Sequence, residues 1–316
     1  MADKRVALAL GSGGARGYAH IGVIDELRDR GYEIVGIAGS SMGALVGGLQ
    51  AADKLGQFAD WARALTQGAV LRLLDPSITA AGVLRASKIL DAVHDILGDV
   101  RIEDLPIPYT AVTTDLIAGK SVWLQRGPVD AAIRASIAIP GVIAPHVLDG
   151  RLLADGGILD PLPMAPIAAV NADLTIAVSL AGSESGGSED TAEAGARSTE
   201  WLTKMWRSTT SLFDSSAVRG RAGAGTDDSD AELVDATKEA TVPKLGSFEV
   251  MNRTIDIAQA ALARHQLANY PPDLLIEVPR SACRSLEFHR AAEVIEVGRA
   301  LAAAALDELE TPTADG

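Results

Sequence analysis

Residues 5–50 read RVALALGSGGARGYAHIGVIDELRDRGYEIVGIAGSSMGALVGGLQ. The apolar run at 5–10 predicts a buried strand, which breaks into a glycine-rich loop at 11–17. A helical pattern follows and ends at Gly31, and a second apolar run at 33–39 then enters a helix of small residues. This alternation of strands and helices is typical of a parallel sheet that is covered by helices on both faces. The fold is therefore predicted to be a doubly wound α/β fold.

The rest of the chain continues the alternation and adds one hairpin. An Asp-Gly pair at 149–150 lies between two apolar runs, which is a signal for a β-hairpin turn. The strand predicted at 173–180 is expected to complete the core sheet. Further helices are predicted near 55–67, 86–98 and 128–139, and further strands within 108–119 and 121–127.

Composition divides the chain into three parts. Residues 4–180 carry the alternating apolar pattern and are expected to form the core domain. Residues 181–246 are rich in Ser, Gly and acidic residues, and such segments bury too little apolar surface to offset the entropy of ordering. We expect them to form a flexible acidic insertion with one amphipathic helix at 199–213. Residues 247–310 predict a helix, a strand and a helix that pack on the same domain. The apolar stripe of the insertion helix consists of Trp201, Met205, Leu212 and Phe213.

The charge balance and the cysteine count exclude some classes of protein. Lys and Arg number 28 and Asp and Glu number 42, so the formal net charge is −14. A nucleic-acid-binding protein needs basic patches to displace counterions from phosphates, and this balance argues against such a function. Contact with an anionic membrane would have to be local and apolar. The single cysteine, Cys283, allows no disulfide within the chain, and no apolar run is long enough for a signal peptide or a transmembrane helix. A cytoplasmic protein is expected.

A candidate nucleophile lies between the second predicted strand and its helix. Residues 39–43 read GSSMG, a G-x-S-x-G motif. In such a motif the central serine, Ser41, lies on a strained turn that projects its hydroxyl, and Gly39 and Gly43 are small enough to avoid collision. The following helix points its N-terminus at the serine and helps to stabilise negative charge. The alternative is a glycine-rich helix entry without chemistry. Ser40 lies one position before the turn and is expected only to support it.

The glycine-rich loop could stabilise the oxyanion that forms when a serine attacks a carbonyl. Gly13 and Gly14 can bring backbone N–H groups close to a substrate, and Arg16 adds a nearby cation. The competing interpretation is a dinucleotide-binding loop, but GSGGARG departs from the G-x-G-x-x-G pattern. Glu33 also opens the second strand, whereas a ribose-binding acidic residue would stand at its end. The sequence therefore favours an oxyanion loop.

Two kinds of residue could act as the base for the serine. His265 and His289 lie in or beside predicted helices, and His20 is expected to pack or hydrogen-bond at the glycine loop. His146 precedes a strand at the hairpin and stays a candidate. Asp155 follows an apolar strand at an Asp-Gly-Gly turn, where the glycines permit close approach by another loop. A carboxylate held against a serine hydroxyl can accept its proton, although an ordinary Asp-Gly turn is the alternative interpretation.

Three motifs stand in a characteristic order along the chain. They are GSGGARGYAHIGV at 11–23, GSSMG at 39–43 and DGG at 155–157. Together they resemble the patatin-like phospholipase family, and the resemblance covers about residues 4–180. The run PPDLLIEVPRSACRSLEFHRAAEVIEVGRAL at 271–301 resembles the bacterial branch of that family, which is related to neuropathy-target-esterase-type lysophospholipases.

The resemblance implies a three-layer α/β/α fold with a mainly parallel central sheet and a Ser-Asp dyad without a catalytic histidine. Ser41 would be the nucleophile and Asp155 the base. The sequence departs from the family pattern at Ser12, where the first glycine of the loop is usual, and at Asp160, where an asparagine is often found. The implied oxyanion hole consists of Gly13, Gly14, Ala15 and Arg16, and the implied supporting glycines are Gly39, Gly43, Gly156 and Gly157.

We therefore expect a cytoplasmic lipid acyl hydrolase of the phospholipase A or lysophospholipase type, which forms an acyl-enzyme on Ser41. It would act on lipid or lysophospholipid, would need no metal or organic cofactor and would not bind nucleic acid. A peripheral membrane contact and a homo-oligomer are both compatible with the sequence, and the helix at 199–213 could be a lid, a dimer contact or part of the core. Two alternatives stay open: an α/β-hydrolase-type esterase with a Ser-His-Asp triad that uses His146, and a regulatory protein of the same fold with little turnover.

Overall fold

The structure is a computed structural model, and it describes residues 4–73, 87–140, 142–182 and 247–311. The predicted acidic insertion, beyond Gly182, and its helix at 199–213 lie outside the described residues.

In these ranges eight strands form one mixed sheet: β1 (Arg5–Leu10), β2 (Glu33–Ser40), β3 (Tyr109–Asp115), β4 (Lys120–Leu124), β5 (His146–Leu148), β6 (Arg151–Asp155), β7 (Leu174–Gly182) and β8 (Leu274–Pro279). Strands β3, β2, β1, β7 and β8 are parallel neighbours in this order. The hairpin strands β5 and β6 and the short strand β4 add antiparallel pairs at β3. The predicted, mainly parallel sheet is confirmed.

The helices of the described residues flank the sheet, and apart from α3 and α4 their bounds follow the predicted periodic segments closely. They are α1 (Ala19–Asp29), α2 (Met42–Ala51), α3 (Leu55–Arg63), α4 (Gln67–Leu73), α5 (Ser87–Leu97), α6 (Val129–Ser136), α7 (Ser247–Asn269) and α8 (Ala291–Glu310). No helix among the described residues is both long and apolar enough to cross a lipid bilayer.

Two apolar clusters lie on opposite faces of the sheet and make the fold three-layered. Successive side chains of a strand point to opposite faces, so Leu8 and Leu10 join a large cluster with α1, α2 and α8. Ala7 and Ala9 face the other way and pack in a smaller cluster that includes Ala263 of α7. The small alanines let this second layer lie close to the sheet. The chain therefore has the predicted three-layer α/β/α architecture.

The sheet extends further than the sequence predicts. The strand at 173–180 was expected to complete it, but β8 adds a parallel strand beside β7, with Ile176 opposite Leu274 and Val178 opposite Ile276. A parallel partner needs a long crossover connection, and α7 lies in the chain segment that leads to β8. The prediction that the sheet is complete at residue 180 is therefore wrong. The sequence shows the apolar run that forms β8, but it does not show that this strand pairs with β7.

Candidate active site

Strand β3 brings together the ends of two strands that are far apart in sequence. β2 runs parallel to β3 and ends with Ser40 opposite Val112. β6 runs antiparallel to β3 and ends with Asp155 opposite Thr113. β4 pairs with Val112 and Thr113 along one edge of β3, so β2 and β6 both lie along the opposite edge of β3. Because β2 and β6 run in opposite directions, their carboxyl ends meet there. The residue that follows β2, Ser41, therefore meets Asp155.

Ser41 lies on a strained turn between β2 and α2. Its φ of 55° and ψ of −121° fall in a region that non-glycine residues rarely adopt. A Cβ atom at Gly39 would collide with the backbone of Gly43, and a Cβ atom at Gly43 would collide with the carbonyl of Leu10. The turn can therefore form only with glycine at both positions, and it places the Ser41 hydroxyl at the carboxyl edge of the sheet, beside the N-terminus of α2.

Asp155 accepts hydrogen bonds on both carboxylate oxygens. The Ser41 hydroxyl donates to Oδ2 at 2.5 Å, and the Gly157 amide donates to Oδ1 at 2.7 Å. Gly156 faces the Val112 carbonyl so closely that a Cβ atom would not fit there. Burial raises the pKa of Asp155 to about 6, and the hydrogen bonds from Ser41 and Gly157 oppose that rise. The carboxylate is thus more basic than usual and is in contact with the serine hydroxyl.

Ser136, at the end of α6, is a supporting residue that the sequence analysis missed. The Ser41 amide donates to its hydroxyl at 2.9 Å, and the hydroxyl donates to the Val112 carbonyl at 2.6 Å. Ser136 is fully buried. It therefore ties the strained Ser41 backbone to the strand that positions both Ser41 and Asp155. No local motif marks this serine, because its two partners are distant in sequence.

We expect Ser136→Ala to lower the free energy of unfolding by about 2 kcal/mol, because it leaves a buried amide and a buried carbonyl without partners. It should also reduce kcat by roughly 10-fold to 100-fold, since the Ser41 turn is held less firmly. Differential scanning calorimetry and ester hydrolysis measure the two effects.

Thr110→Val is a matched control for Ser136→Ala. It removes another buried hydroxyl of the same region, which accepts a hydrogen bond from Gln125 at 3.0 Å. This change should affect stability and leave kcat nearly constant. Equal losses of kcat in both variants would contradict a specific role for Ser136.

Ser40 and Asp160 form a second buried hydrogen-bonded pair, in addition to Ser41 and Asp155. The Ser40 hydroxyl donates to the Asp160 carbonyl at 2.5 Å. The Asp160 side-chain oxygen Oδ1 is buried with no hydrogen-bond partner among the described residues, and burial raises the pKa of Asp160 to about 6. Ser40 thus holds the loop that follows Gly157, and its hydroxyl donates to Asp160 whereas that of Ser41 donates to Asp155.

The glycine-rich loop contacts the Ser41 turn, and a buried histidine holds the start of the loop in place. Gly17 lies so close to Met42, the residue after Ser41, that a Cβ atom would collide with its side chain. His20 is fully buried and hydrogen-bonds through Nε2 to the Gly11 carbonyl at 2.9 Å, as the sequence analysis expects. Burial lowers the pKa of His20 to about 4, so its ring is neutral and anchors the loop by donating from Nε2.

Four residues of this loop were expected to build an oxyanion hole, and the structure shows a hydrogen-bond partner for two of them. Gly13 and Gly14 are buried at the end of β1. The Ala15 amide donates to the Ser285 carbonyl at 2.9 Å and is thus already used in this structure. The Arg16 guanidinium donates from Nη1 to the Cys283 carbonyl at 3.4 Å. Both acceptors lie in the segment after β8 and are not evident from local sequence, and the oxyanion hole stays a prediction.

The alternative base, His146, has a different partner. Its Nδ1 accepts a hydrogen bond from Arg134 Nε at 3.0 Å, whereas the Ser41 hydroxyl is donated to Asp155. Burial lowers the pKa of His146, and the positive charge of Arg134 lowers it further. The geometry favours Asp155 over His146 as the partner of Ser41. Among the described residues, no group of three or more His, Cys, Asp and Glu side chains could hold a metal ion.

The fold and this geometry define an α/β protein with a serine on a strained strand-to-helix turn and a buried aspartate as its partner. The family model of patatin-like phospholipases matches residues 8–168, and the chain belongs to that family. The family is one of lipid acyl hydrolases, and the chain is assigned to this class of enzyme without a specific substrate.

Three known proteins show how far the similarity extends. An NTE family protein of Mycobacterium tuberculosis is 68% identical over 98% of this chain and 93% of its own length. A neuropathy target esterase of Drosophila sechellia, named sws, is 34% identical over 52% of this chain and 12% of its own length. A crystal structure of VipD from Legionella pneumophila aligns with a TM-score of 0.48 at 14% identity, covering 97% of this chain and 67% of that one.

Proposed function

We propose that this protein hydrolyses acyl ester bonds of phospholipids or lysophospholipids through an acyl-enzyme on Ser41, with Asp155 as the base. The observation that carries the proposal is the 2.5 Å hydrogen bond from the Ser41 hydroxyl to a buried aspartate whose pKa is raised to about 6. A serine hydroxyl is a weak nucleophile until a base in contact with it takes its proton. An aspartate with a raised pKa is a stronger base than an exposed one.

In the first half of the proposed reaction, Ser41 Oγ attacks the ester carbonyl while its proton passes to Asp155. The carbonyl oxygen becomes an oxyanion, which the amides of Gly13 and Gly14 and the N-terminus of α2 would stabilise. The tetrahedral intermediate then expels the glycerol oxygen, which takes the proton back from Asp155. The products of this half are the acyl-enzyme and an alcohol.

In the second half, water attacks the acyl-enzyme and gives a proton to Asp155. Collapse of the second tetrahedral intermediate returns that proton to Ser41 Oγ and releases the fatty acid. Gly157 donates to the other carboxylate oxygen throughout, which keeps Oδ2 directed at Ser41. The cycle needs only residues of this chain and water.

The proposal also covers where the enzyme acts and how it meets its lipid substrate. A cytoplasmic enzyme that meets lipid at a membrane surface fits the cysteine count and the family. The net charge of −14 favours contact through apolar groups over contact through charge. We propose no nucleic-acid partner and no cofactor.

Labelling with a fluorophosphonate probe, followed by peptide mapping, tests the nucleophile. Hydrolysis assays with lysophospholipid, diacyl phospholipid and short p-nitrophenyl esters test the substrate class. Labelling at Ser41 together with release of fatty acid from either lipid supports the proposal. Absence of both labelling and turnover would favour the regulatory alternative, in which the fold is kept with little activity.

The pH dependence of activity should follow the ionisation of Asp155. We expect kcat/KM for a short-chain ester to rise with pH around an apparent pKa of about 6 and to level off above about pH 7. Only the ionised carboxylate can accept the Ser41 proton. A profile that is flat from about pH 5 to pH 8 would contradict this assignment.

Stability should change with pH in the opposite direction. The folded-state pKa values of Asp155 and Asp160 are raised from the usual 3.8 to about 6, so between these values the folded state binds more protons than the unfolded state. The free energy of unfolding should therefore fall as pH rises from about 4 to about 6. Denaturant titrations across that range measure this contribution, and Asp160→Asn should reduce the slope.

A further inference from the structure

Two β-hairpins project beyond the Ser41–Asp155 pair at the carboxyl edge of the sheet. Asp155 ends β6 opposite Thr113, and three residues earlier in β6 the Leu152 carbonyl accepts a hydrogen bond from the Leu116 amide at 2.9 Å. A strand rises about 3.3 Å per residue. The turns that join β3 to β4 and β5 to β6 therefore lie about 10 Å further out than the Ser41–Asp155 pair.

These two hairpins expose aliphatic side chains near their turns. In the β3–β4 turn Ile117 is 82% exposed and Leu116 is 42% exposed, and Val147 of β5 is 66% exposed. Val147 stands opposite Leu152, and Leu152 is hydrogen-bonded to Leu116 on its other side. Neighbouring strands are about 4.8 Å apart, so these side chains lie next to one another. We call Leu116, Ile117, Val147 and Leu152 the hairpin patch.

Hydrogen bonds within the β3–β4 turn hold part of the hairpin patch out to solvent. The Asp115 carboxylate accepts from the Ile117 and Ala118 amides, both at 2.9 Å, and the Asp115 carbonyl accepts from the Gly119 amide at 2.9 Å. Glycine and polar residues are the usual choice in turns, whereas Ile117 is apolar and β-branched. An apolar patch that is held away from the core marks a surface that meets an apolar partner.

Two cations flank the hairpin patch. Lys120 begins β4 and Arg151 begins β6, and both residues are exposed. The Asp115 side chain is buried in its turn, and Asp149 of the β5–β6 turn is exposed. A chain with a net charge of −14 thus presents more positive than negative exposed charge beside this patch. Aliphatic side chains with cations next to them match a phospholipid surface, where phosphates lie outside the acyl chains.

We propose that the hairpin patch inserts into the surface of a phospholipid aggregate, with Lys120 and Arg151 at the level of the phosphates. The inference rests on the proposed function and adds to it the surface by which the enzyme meets lipid. Interfacial segments bury their apolar side chains about 5 to 10 Å deep. Because Ser41 lies about 10 Å behind the turns, insertion brings its hydroxyl to the boundary of the lipid layer.

A second copy of the chain is the other apolar partner that the hairpin patch could meet. A stable homodimer buries roughly 800 Å² on each partner, whereas the patch has only a few aliphatic side chains. A two-fold contact centred on the patch would also bring Lys120 and Arg151 of both copies together. The small area and the flanking cations therefore favour a lipid surface.

The first test measures binding and needs no turnover. Full-length protein carrying Ser41→Ala is sedimented with vesicles of equal amounts of phosphatidylcholine and phosphatidylglycerol. Adding Ile117→Asn and Val147→Thr should weaken binding by at least about tenfold, since both changes remove exposed aliphatic surface. Asparagine suits a turn and threonine suits a strand, so the melting temperature should change little. Unchanged binding in this variant, or no binding before the two changes, would overturn the proposal.

Tyr270→Asn is the matched control for the apolar changes. Tyr270 is 42% exposed, as Leu116 is, but it precedes β8 and so lies at the opposite, amino edge of the parallel strands. This variant should bind the vesicles as strongly as the protein with Ser41→Ala alone. An equal loss of binding on Tyr270→Asn would show that exposed apolar surface in general governs binding, and would overturn the proposal.

The second test concerns the cations. Lys120→Gln and Arg151→Gln should each weaken binding to these anionic vesicles by about fivefold, the usual effect of removing one cation beside an anionic surface. Arg28→Gln removes an exposed cation near the end of α1, at the amino edge, and should leave binding unchanged. Equal losses in all three variants would mean that total charge governs binding, and would overturn the proposal.

The third test separates failure of this inference from failure of the proposed function. With Ser41 intact, Ile117→Asn together with Val147→Thr should slow hydrolysis of vesicle lipid by about tenfold and leave kcat/KM for a soluble short-chain ester unchanged. If the wild type hydrolyses neither substrate, the proposed function fails, while loss of vesicle binding in the variant still supports the surface. If the variant hydrolyses vesicle lipid as the wild type does, or converts a dimer to a monomer with vesicle binding intact, the proposal is overturned.

Discussion

Ser41→Ala is expected to lower kcat/KM for ester hydrolysis by at least about 10³-fold and to abolish labelling by a fluorophosphonate probe. The change deletes the hydroxyl that contacts Asp155 at 2.5 Å and leaves no other nucleophile at that position. Alanine and serine meet the same strain at a φ of 55°, so the turn and the fold should persist. Initial rates, probe labelling and a thermal melt measure these three outcomes.

The neighbouring hydroxyl provides a matched control. Ser40→Ala removes a buried hydroxyl one residue earlier, which donates to the Asp160 carbonyl. It should reduce stability by about 1 to 2 kcal/mol, because the carbonyl loses its partner, and should keep probe labelling. Labelling that maps to Ser40 in the wild type, or activity that survives Ser41→Ala, would show that the nucleophile is misassigned.

Most of the fold could be predicted because its signals are local. The apolar run at 5–10 and the helical spacing after the glycine loop correspond to β1 and α1 in the structure. The single helix predicted near 55–67 is wrong in detail, since α3 ends at Arg63 and α4 begins at Gln67. Thr66 accepts a hydrogen bond from the Ala69 amide at 3.2 Å, and such a cap starts a new helix where apolar periodicity alone suggests continuation.

The residues of the site could likewise be predicted where a local motif marks them, but not where they depend on contacts between distant parts of the chain. Ser41 and Asp155 could be singled out because each lies at the end of a strand with glycine within two residues. Their contact depends on the register of β2 and β6 along β3, which no local pattern encodes. Ser136 lies 95 residues from Ser41 and contacts its amide only in the folded chain. The pairing of β8 with β7 likewise joins residues that are about 100 positions apart, which no local pattern encodes.

Asp155→Asn is expected to reduce kcat/KM nearly as far as Ser41→Ala does, again by about 10³-fold or more. Asparagine is nearly isosteric: its oxygen can still accept from the Gly157 amide, and its amide can donate to Ser41 Oγ. It cannot accept the serine proton, so basicity is lost while packing is kept. Because a buried carboxylate with a raised pKa is destabilising above its pKa, the melting temperature at about pH 8 should not fall below that of the wild type.

Three further variants decide whether this loss is specific to the base at Ser41. Asp149→Asn changes an aspartate at a turn with a φ of 50°, which asparagine tolerates, and should leave activity unchanged. Asp160→Asn removes a buried carboxyl that has no side-chain partner on Oδ1 and should cost far less activity than Asp155→Asn. His146→Ala removes the partner of Arg134 and should retain turnover. If His146→Ala were inactive and Asp155→Asn active, the serine would depend on the histidine, and the Ser-Asp mechanism would have to be abandoned in favour of a triad.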